Sequence, residues 1–321
     1  MTEAQAISAF ADLAFPYSEE RFAEVKKQGL KMAHYTTAEN AALILKNQSL
    51  WLRSAAMMND FSEVAHGSFC LVQSLQAGLG QRLATALDTV HPGLWKAVAE
   101  WIAGLETHTR HHTYLISLSA HHPENMLGRL SMWRAYGGAT SGVAIILNNE
   151  PFWHGSDQLG AYSSPVLYGG VEEFSRELDR VIQNIEQNQE LLKRVPFENA
   201  KSTIFNSLQY SILSTKHPAF EEEQEWRVIH SPLTDASAFI PTKVQTIRGI
   251  PQMICEIPLR DRPGLNMPWL NLDKLLDRVI IGPCVYPQQV AWGFREILRE
   301  IGISNPDERI TVAPIPLRQQ G

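Results

Sequence analysis

The sequence predicts an α+β fold. Short β-rich runs occur early, in the middle and late in the chain, and long helical stretches interrupt them. Strands and helices mix without the strict alternation of a doubly wound sheet. The 321 residues, 44% of them hydrophobic, suffice for one large domain or a domain carrying a helical insertion.

Each element has a local reason. Residues 2–29 read as two short amphipathic helices split near Pro16, followed by a strand over Lys31–Tyr35. Thr36, with Glu39 three positions on, reads as an N-cap for the helix Ala38–Lys46, which carries Ala41, Ala42, Leu43, Ile44 and Leu45. A strand over Leu50–Arg53 leads into a loop, Ser54–Asp60. Helices are expected to fill Phe61–Leu105, with breaks near Gly78–Gly80 and at Pro92-Gly93. Tyr114–Ser119 is β-rich, Met126–Tyr136 reads as helix and Gly142–Leu147 as a buried strand, and Pro165–Gly169 is a further strand candidate. Two helices follow, about Val171–Arg194 and Phe197–Leu213; the first is rich in Glu, Gln and Asn and reads as an exposed insertion. Strands are then expected at Glu225–His230, Gln252–Leu259, Arg278–Gly282 and Ile310–Leu317, with a helix over Pro287–Ile301. The domain division that follows is an N-terminal helical segment (1–29) and a single domain (30–321) with helical insertions near 61–105 and 171–213.

Composition narrows the function. The net charge of −6 argues against broad nonspecific nucleic-acid binding, though not against a local basic groove. Cys70, Cys255 and Cys284 are odd in number and form no CxxC pair, so neither a disulfide framework nor a zinc knuckle is expected, and the reducing cytoplasm is the expected compartment. The N-terminus has no apolar core of signal length and no eighteen-residue apolar run occurs, so no membrane association is expected. A phosphate loop, HExxH and a GxSxG elbow are absent, and Gly78-Leu79-Gly80 lacks the third glycine of a dinucleotide fingerprint. His111-His112 and His121-His122 lack a carboxylate or cysteine at ligand spacing, so no metal is expected.

Several segments carry chemistry. The run Glu221-Glu222-Glu223-Gln224-Glu225-Trp226-Arg227 opens a strand, and its plain reading is a solvated charge run. Strand alternation would set Glu223, Glu225 and Arg227 on one side, where the arginine can pair with either carboxylate. Fixed negative charge of this kind suits a developing cation. His34 closes a strand just before a helix start; it is either a satisfied strand-end histidine or, beside free helix N–H groups, a ligand for ribose hydroxyls. Ser117 and Ser119 share a strand face; they are a solvated edge, a buttress for the carboxylate, or ribose ligands. Trp133 and Tyr136 share a helix face ahead of Gly137-Gly138, as core residues or as rings against a planar ligand.

Taken in order, His34-Tyr35-Thr36, the Asn40 helix, Asn59-Asp60-Phe61-x-Glu63, Ser117-Leu118-Ser119, Met132-Trp133-Arg134-x-Tyr136 and Glu223-x-Glu225-Trp226-Arg227 resemble the bacterial DUF2971 family over roughly residues 30–285. That family is similar to a divergent branch of the ADP-ribosyltransferases. The resemblance implies a split β-sheet core with NAD in its cleft. It matches His34 to the first motif position, Tyr136 or Ser117 and Ser119 to the second, and Glu225 to the third. His34-Tyr35-Thr36 is also similar to the entry motif of transferases that modify DNA bases. The implied activity is NAD-dependent ADP-ribosyl transfer to a macromolecular acceptor, nucleic acid or protein, as in a toxin or phage-defence effector. Glu225 and Glu223 with Tyr136 would then be catalytic, and His34, Tyr35, Thr36, Ser117, Ser119, Trp133 and Asn59 would bind NAD. The alternatives are an NAD glycohydrolase and a non-catalytic nucleotide-sensing or interaction module. An antitoxin or regulatory partner is a further expectation, with the helices around Val171–Leu213 as either its surface or a solvated insertion.

Overall fold

The computed structural model describes residues 2–57, 61–137, 141–153, 159–234, 236–247 and 249–316. In chain order the elements begin with α1 (Glu3–Ala14), α2 (Pro16–Gln28), β1 (Lys31–Thr37), α3 (Ala38–Asn47), β2 (Ser49–Ser54) and α4 (Phe61–Ser74). There follow α5 (Gly80–Val90), α6 (Leu94–His112), β3 (Tyr114–His121), α7 (Leu130–Tyr136), β4 (Ser141–Leu147) and α8 (Glu150–Trp153). Next come β5 (Tyr162–Pro165), β6 (Leu167–Tyr168), α9 (Val171–Gln187), α10 (Gln189–Leu192), α11 (Phe197–Leu213), β7 (Thr215–Lys216) and β8 (Glu225–His230). The last are β9 (Thr242–Ile247), β10 (Ile250–Pro258), α12 (Leu272–Leu275), β11 (Leu276–Cys284), α13 (Pro287–Glu300) and β12 (Ile310–Val312). The fold is α+β, as the sequence predicts.

Two compact units divide the chain. One is helical and takes Met1–Glu24, Ser54–Thr113 and Ser164–Glu221. The expected N-terminal helices and both expected insertions therefore contribute to one body. α9 is not an exposed insertion: its polar residues cover one face, while Phe174, Leu178, Val181, Ile182 and Ile185 are buried on the other. It packs on α4 and α5, and α11 packs on α4 and α6. The helix break expected near Gly78 occurs at that residue, whose φ of 108° is open to glycine and strained for most other residues.

The second unit takes Val25–Arg53, Tyr114–Ser163 and Glu222–Gly321. It holds a mixed sheet in the order β12-β11-β4-β1-β3-β2-β10-β9, with β8 paired to β3 off this path. β1 runs antiparallel to β4 from Met32 to Thr37, but it pairs with β3 only over Lys31–Ala33. Beyond Ala33 the two strands part. β3 continues antiparallel to β8, with Ser117 opposite Arg227 and Ser119 opposite Glu225. One sheet face packs Tyr114, Ile116, Val143, Ile145, Val279 and Ile281 with Leu45 of α3 and Phe294 of α13. The other packs Ala33, Tyr35, Ala144, Ile146 and Ile280 with Met132 and Trp133 of α7.

Three local readings change. The N-cap of α3 is Thr37, whose hydroxyl accepts from the Asn40 amide at 3.3 Å; Thr36 is one residue too early and instead accepts from the Asn40 side chain. The predicted Met126–Tyr136 helix begins only at Leu130. Asn125 explains the delay, because its side chain takes the Leu127 and Gly128 amides at 2.9 and 3.0 Å, and Gly128 has a φ of 69°. β9 is a strand the sequence reading leaves as loop.

Candidate active site

The acidic run splits into two structures. Pro218–Glu223 forms a 3₁₀ turn and the strand starts at Glu225. Gln224 between them has a φ of 46°, the left-handed region. Two-residue alternation therefore does not connect Glu223 to Glu225, and the expectation that both lie on one strand face fails. The Glu223 carbonyl accepts from Arg129 Nη1 at 2.8 Å, and the Gln224 carbonyl accepts from the Ala120 amide at 2.8 Å.

Glu225 itself is a buried carboxylate, with 4% of its side chain exposed. Arg227, 3% exposed, donates through Nε to Oε1 at 2.8 Å and through Nη2 to Oε2 at 3.3 Å. Ser117 Oγ donates to Oε1 at 2.5 Å. Register explains the cluster: opposed residues of an antiparallel pair share a face, as do residues two apart, so Ser117, Ser119, Glu225 and Arg227 all emerge together. Ser119 is also buried, and its hydroxyl has no hydrogen-bond partner among the described residues.

His34 approaches the same residue from elsewhere. Ala33 is opposite Ser119, so Ala33 and Tyr35 lie on the Glu225 face and the alternate residues His34 and Thr36 fall on the other. The His34 ring turns into the gap where β1 and β3 part, and Nδ1 meets the Ser117 carbonyl at 3.2 Å. A carbonyl only accepts, so Nδ1 carries the proton and Nε2 presents a lone pair. Burial lowers the imidazole pKa, partly offset by the Ser117 carbonyl, which favours this neutral tautomer. Ser117 thus touches both groups, His34 through its carbonyl and Glu225 through its hydroxyl.

The aromatic expectations divide. Trp133 is core: its Nε1 donates to the Leu127 carbonyl at 2.8 Å and Tyr35 meets it edge-on at 4.9 Å. A Cβ added at Gly128, Gly142 or Gly282 would come within 2.5, 3.0 and 2.7 Å of its indole. These three glycines make room for the indole, so Trp133 takes the core alternative of the two readings, buried rather than standing against a planar ligand. Tyr35 is 5% exposed and its hydroxyl accepts from the Arg129 amide at 3.1 Å, so it too is a core residue rather than an NAD ligand. Tyr136 is half-buried against the same cluster. Asn59 lies outside the described residues.

Arg129 is the residue sequence reasoning missed. Its amide meets Tyr35, and its guanidinium holds the Glu223 carbonyl and, at 2.6 Å, the Ala120 carbonyl. It pins the turn that delivers Glu225 to β3. A single arginine beside Gly128 belongs to no periodic pattern, and only the fold brings its partners together. Ser131 adds a second tie, donating to Glu222 at 2.8 Å. Among the described residues, no group of three or more His, Cys, Asp or Glu side chains is placed to hold a metal ion. Among the described residues, no helix is long and apolar enough to cross a membrane.

The class defined here is an α+β protein with a buried Glu–Arg–Ser cluster on a sheet that parts beside it. Residues 132–228 match the model of a family described as Protein of unknown function (DUF2971). The match bears out the resemblance to that family; it begins at the Met132-Trp133-Arg134 block and runs through Glu225-Trp226-Arg227. No curated protein and no solved structure matches the chain.

Proposed function

We propose that this protein is an NAD-dependent ADP-ribosyltransferase with a split-sheet core. The observation that carries the reading is Ser117, which joins an imidazole acceptor and a fixed carboxylate at the point where β1 and β3 part. In the reaction, the bond between nicotinamide nitrogen and ribose C1′ breaks and its electron pair leaves with nicotinamide. The ribose becomes oxocarbenium-like, as in glycoside cleavage. Glu225 accepts from the ribose 2′-hydroxyl and stabilises the positive charge, an effect of about 3–4 kcal/mol by comparison with single-donor deletions. Arg227 and Ser117 keep the carboxylate ionised and oriented. His34 Nε2 accepts from the adenosine-side ribose, and Tyr136 borders nicotinamide. Glu223, ahead of the strand, is the base for the acceptor's proton. The acceptor is a macromolecule, nucleic acid or protein.

Nicotinamide release from NAD, followed by chromatography, tests the proposal. Wild type is expected to release it, and Glu225→Gln to lose release while keeping its circular dichroism spectrum. Unchanged turnover in that variant removes the mechanism. Mass gain on a macromolecule separates a transferase from a glycohydrolase, which yields free ADP-ribose.

One observation favours a second reading. Both Glu225 oxygens are engaged by Arg227, the arrangement of a structural ion pair. On that reading the protein is a nucleotide-binding module without chemistry, and calorimetry would register NAD binding with no nicotinamide released.

A further inference from the structure

The helical unit contains a cavity that has no part in the chemistry above. Phe15, Tyr17, Phe174, Leu178, Val181 and Leu208 give it apolar walls. Counted out to its open mouth it holds about 590 Å³, so the enclosed part is smaller. That is room for a ligand of about one ring, not for a dinucleotide.

The polar part of the wall has one chemical character. Tyr17 donates its hydroxyl proton to the Val166 carbonyl at 3.1 Å. Ser207 donates to Ala14 at 2.6 Å, Ser211 to Ser207 at 2.8 Å and Thr215 to Ser211 at 2.7 Å, each to a main-chain carbonyl. Each hydroxyl has a single proton, and all four are used inward, so what these oxygens have left are lone pairs. Glu177 adds a carboxylate to the same wall. It pairs with Arg180 at 2.8 Å, but Arg180 is shared with Glu20. The charged groups that act on Tyr17 and Glu177 include Glu20, Glu24 and Glu221 against Arg21, Arg176 and Arg180, so Glu177 itself tips these groups towards negative charge. Burial raises the Glu177 pKa, and the Arg180 guanidinium offsets part of that rise. Ser214 also lines the cavity, and its buried hydroxyl has no partner among the described residues.

From this donor and acceptor count we infer that the cavity is a binding site for a small organic cation, an ammonium group carried on a body of about one ring. Apart from the Ser214 hydroxyl, the wall groups named above offer only lone pairs; an ammonium supplies donors to them and meets Glu177 in an aromatic surround that favours cations. An anion of the same size meets lone pairs and an excess of carboxylates. A neutral alcohol fills the space but leaves the charge unmatched.

Benzylamine, benzyl alcohol and benzoate have the same ring and differ in the head group. Calorimetric titration of each into the full chain at neutral pH, to roughly 10 mM, tests the inference. Benzylamine is expected to bind more tightly than benzyl alcohol by about fivefold or more, the scale of one partly exposed charge-assisted hydrogen bond, and benzoate is expected not to bind. Glu177→Gln should remove the preference for the amine and leave the alcohol unchanged. Val181→Phe, which fills the cavity, should abolish both. Binding of benzoate as tight as that of benzylamine overturns the inference. So does an absence of benzylamine binding to the wild-type chain, whatever the variants do, or an unchanged preference in a folded Glu177→Gln variant.

Discussion

Removing the cation from the Glu225–Arg227 pair is the sharpest perturbation available in the sheet unit. Both side chains are nearly inaccessible, at 4% and 3% exposure, and they meet through two hydrogen bonds of 2.8 and 3.3 Å. Arg227→Met keeps most of the side-chain volume and strands a buried carboxylate. Breaking such a pair from one side costs about 3–5 kcal/mol. Ser117 still donates to Oε1 and offsets part of this loss, which sets the expected cost near the lower figure. Glu225→Gln removes the other charge, but an amide oxygen can still accept from Arg227, so its cost is about 1–3 kcal/mol. The double variant leaves no buried charge and should be more stable than Arg227→Met alone, giving a coupling of about 2 kcal/mol or more. Urea unfolding followed by circular dichroism measures all four proteins. The coupling should persist in molar salt, because a pair shielded from solvent is screened little. A cost for Arg227→Met below about 1 kcal/mol, or single-variant costs that simply add, would refute the claim that Glu225 is a buried ion held by Arg227.

Acidification tests His121, whose pKa burial lowers from 6.5 to about 4. The folded state then binds fewer protons than the unfolded state between those values, so stability is intact above pH 6.5 and falls as the pH drops. The expected loss is about 3 kcal/mol by pH 4 and levels off below it, and His121→Phe should flatten that part of the urea-unfolding profile; superimposable profiles would contradict it. Gly282→Ala puts a Cβ 2.7 Å from the Trp133 ring and should cost about 1–3 kcal/mol in urea unfolding, whereas Gly293→Ala, inside α13 with nothing within 4 Å of its Cβ, should stabilise by about 0.5–1 kcal/mol. Thr37→Ala should cost about 1 kcal/mol and Thr36→Ala less, and a reversed order would return the cap to Thr36.

Local signals carried most of the fold. α11 occupies the predicted Phe197–Leu213 and β8 the predicted Glu225–His230, because each has a clear period and a clear boundary residue. The Ser117 buttress to Glu225 and the Arg227 partnership were also legible, since two-residue alternation is a property of the strand alone. What failed was long-range or exceptional. The left-handed Gln224 interrupts the acidic run, and glutamine gives no warning of a positive φ. The Trp133 cradle is assembled from Gly128, Gly142 and Gly282, more than 150 residues apart at the extremes, so the local pattern of Trp133 ahead of Gly137-Gly138 does not reveal it. β9 escaped notice because an exposed strand next to β10 needs no apolar period; its burial alternates only weakly. α9 reads as exposed in the sequence because its mean polarity hides an ordered apolar face.

Ser117 explains why two groups on different sheet faces can still serve one site. A strand residue offers its side chain to a face and its carbonyl to the plane of the sheet. Where β1 leaves β3, the Ser117 carbonyl is taken up by the His34 ring. The same residue's hydroxyl reaches Glu225 on one face, while His34 enters the gap from the other. His34 and Glu225 are therefore both held by Ser117, one as a neutral ring with a lone pair at Nε2 and the other as a carboxylate paired with Arg227. A solvated charge run or a strand-end histidine capped by chance needs neither feature. That paired fixation, where the β1–β3 pairing ends, is the feature on which the proposed ribose contacts rest.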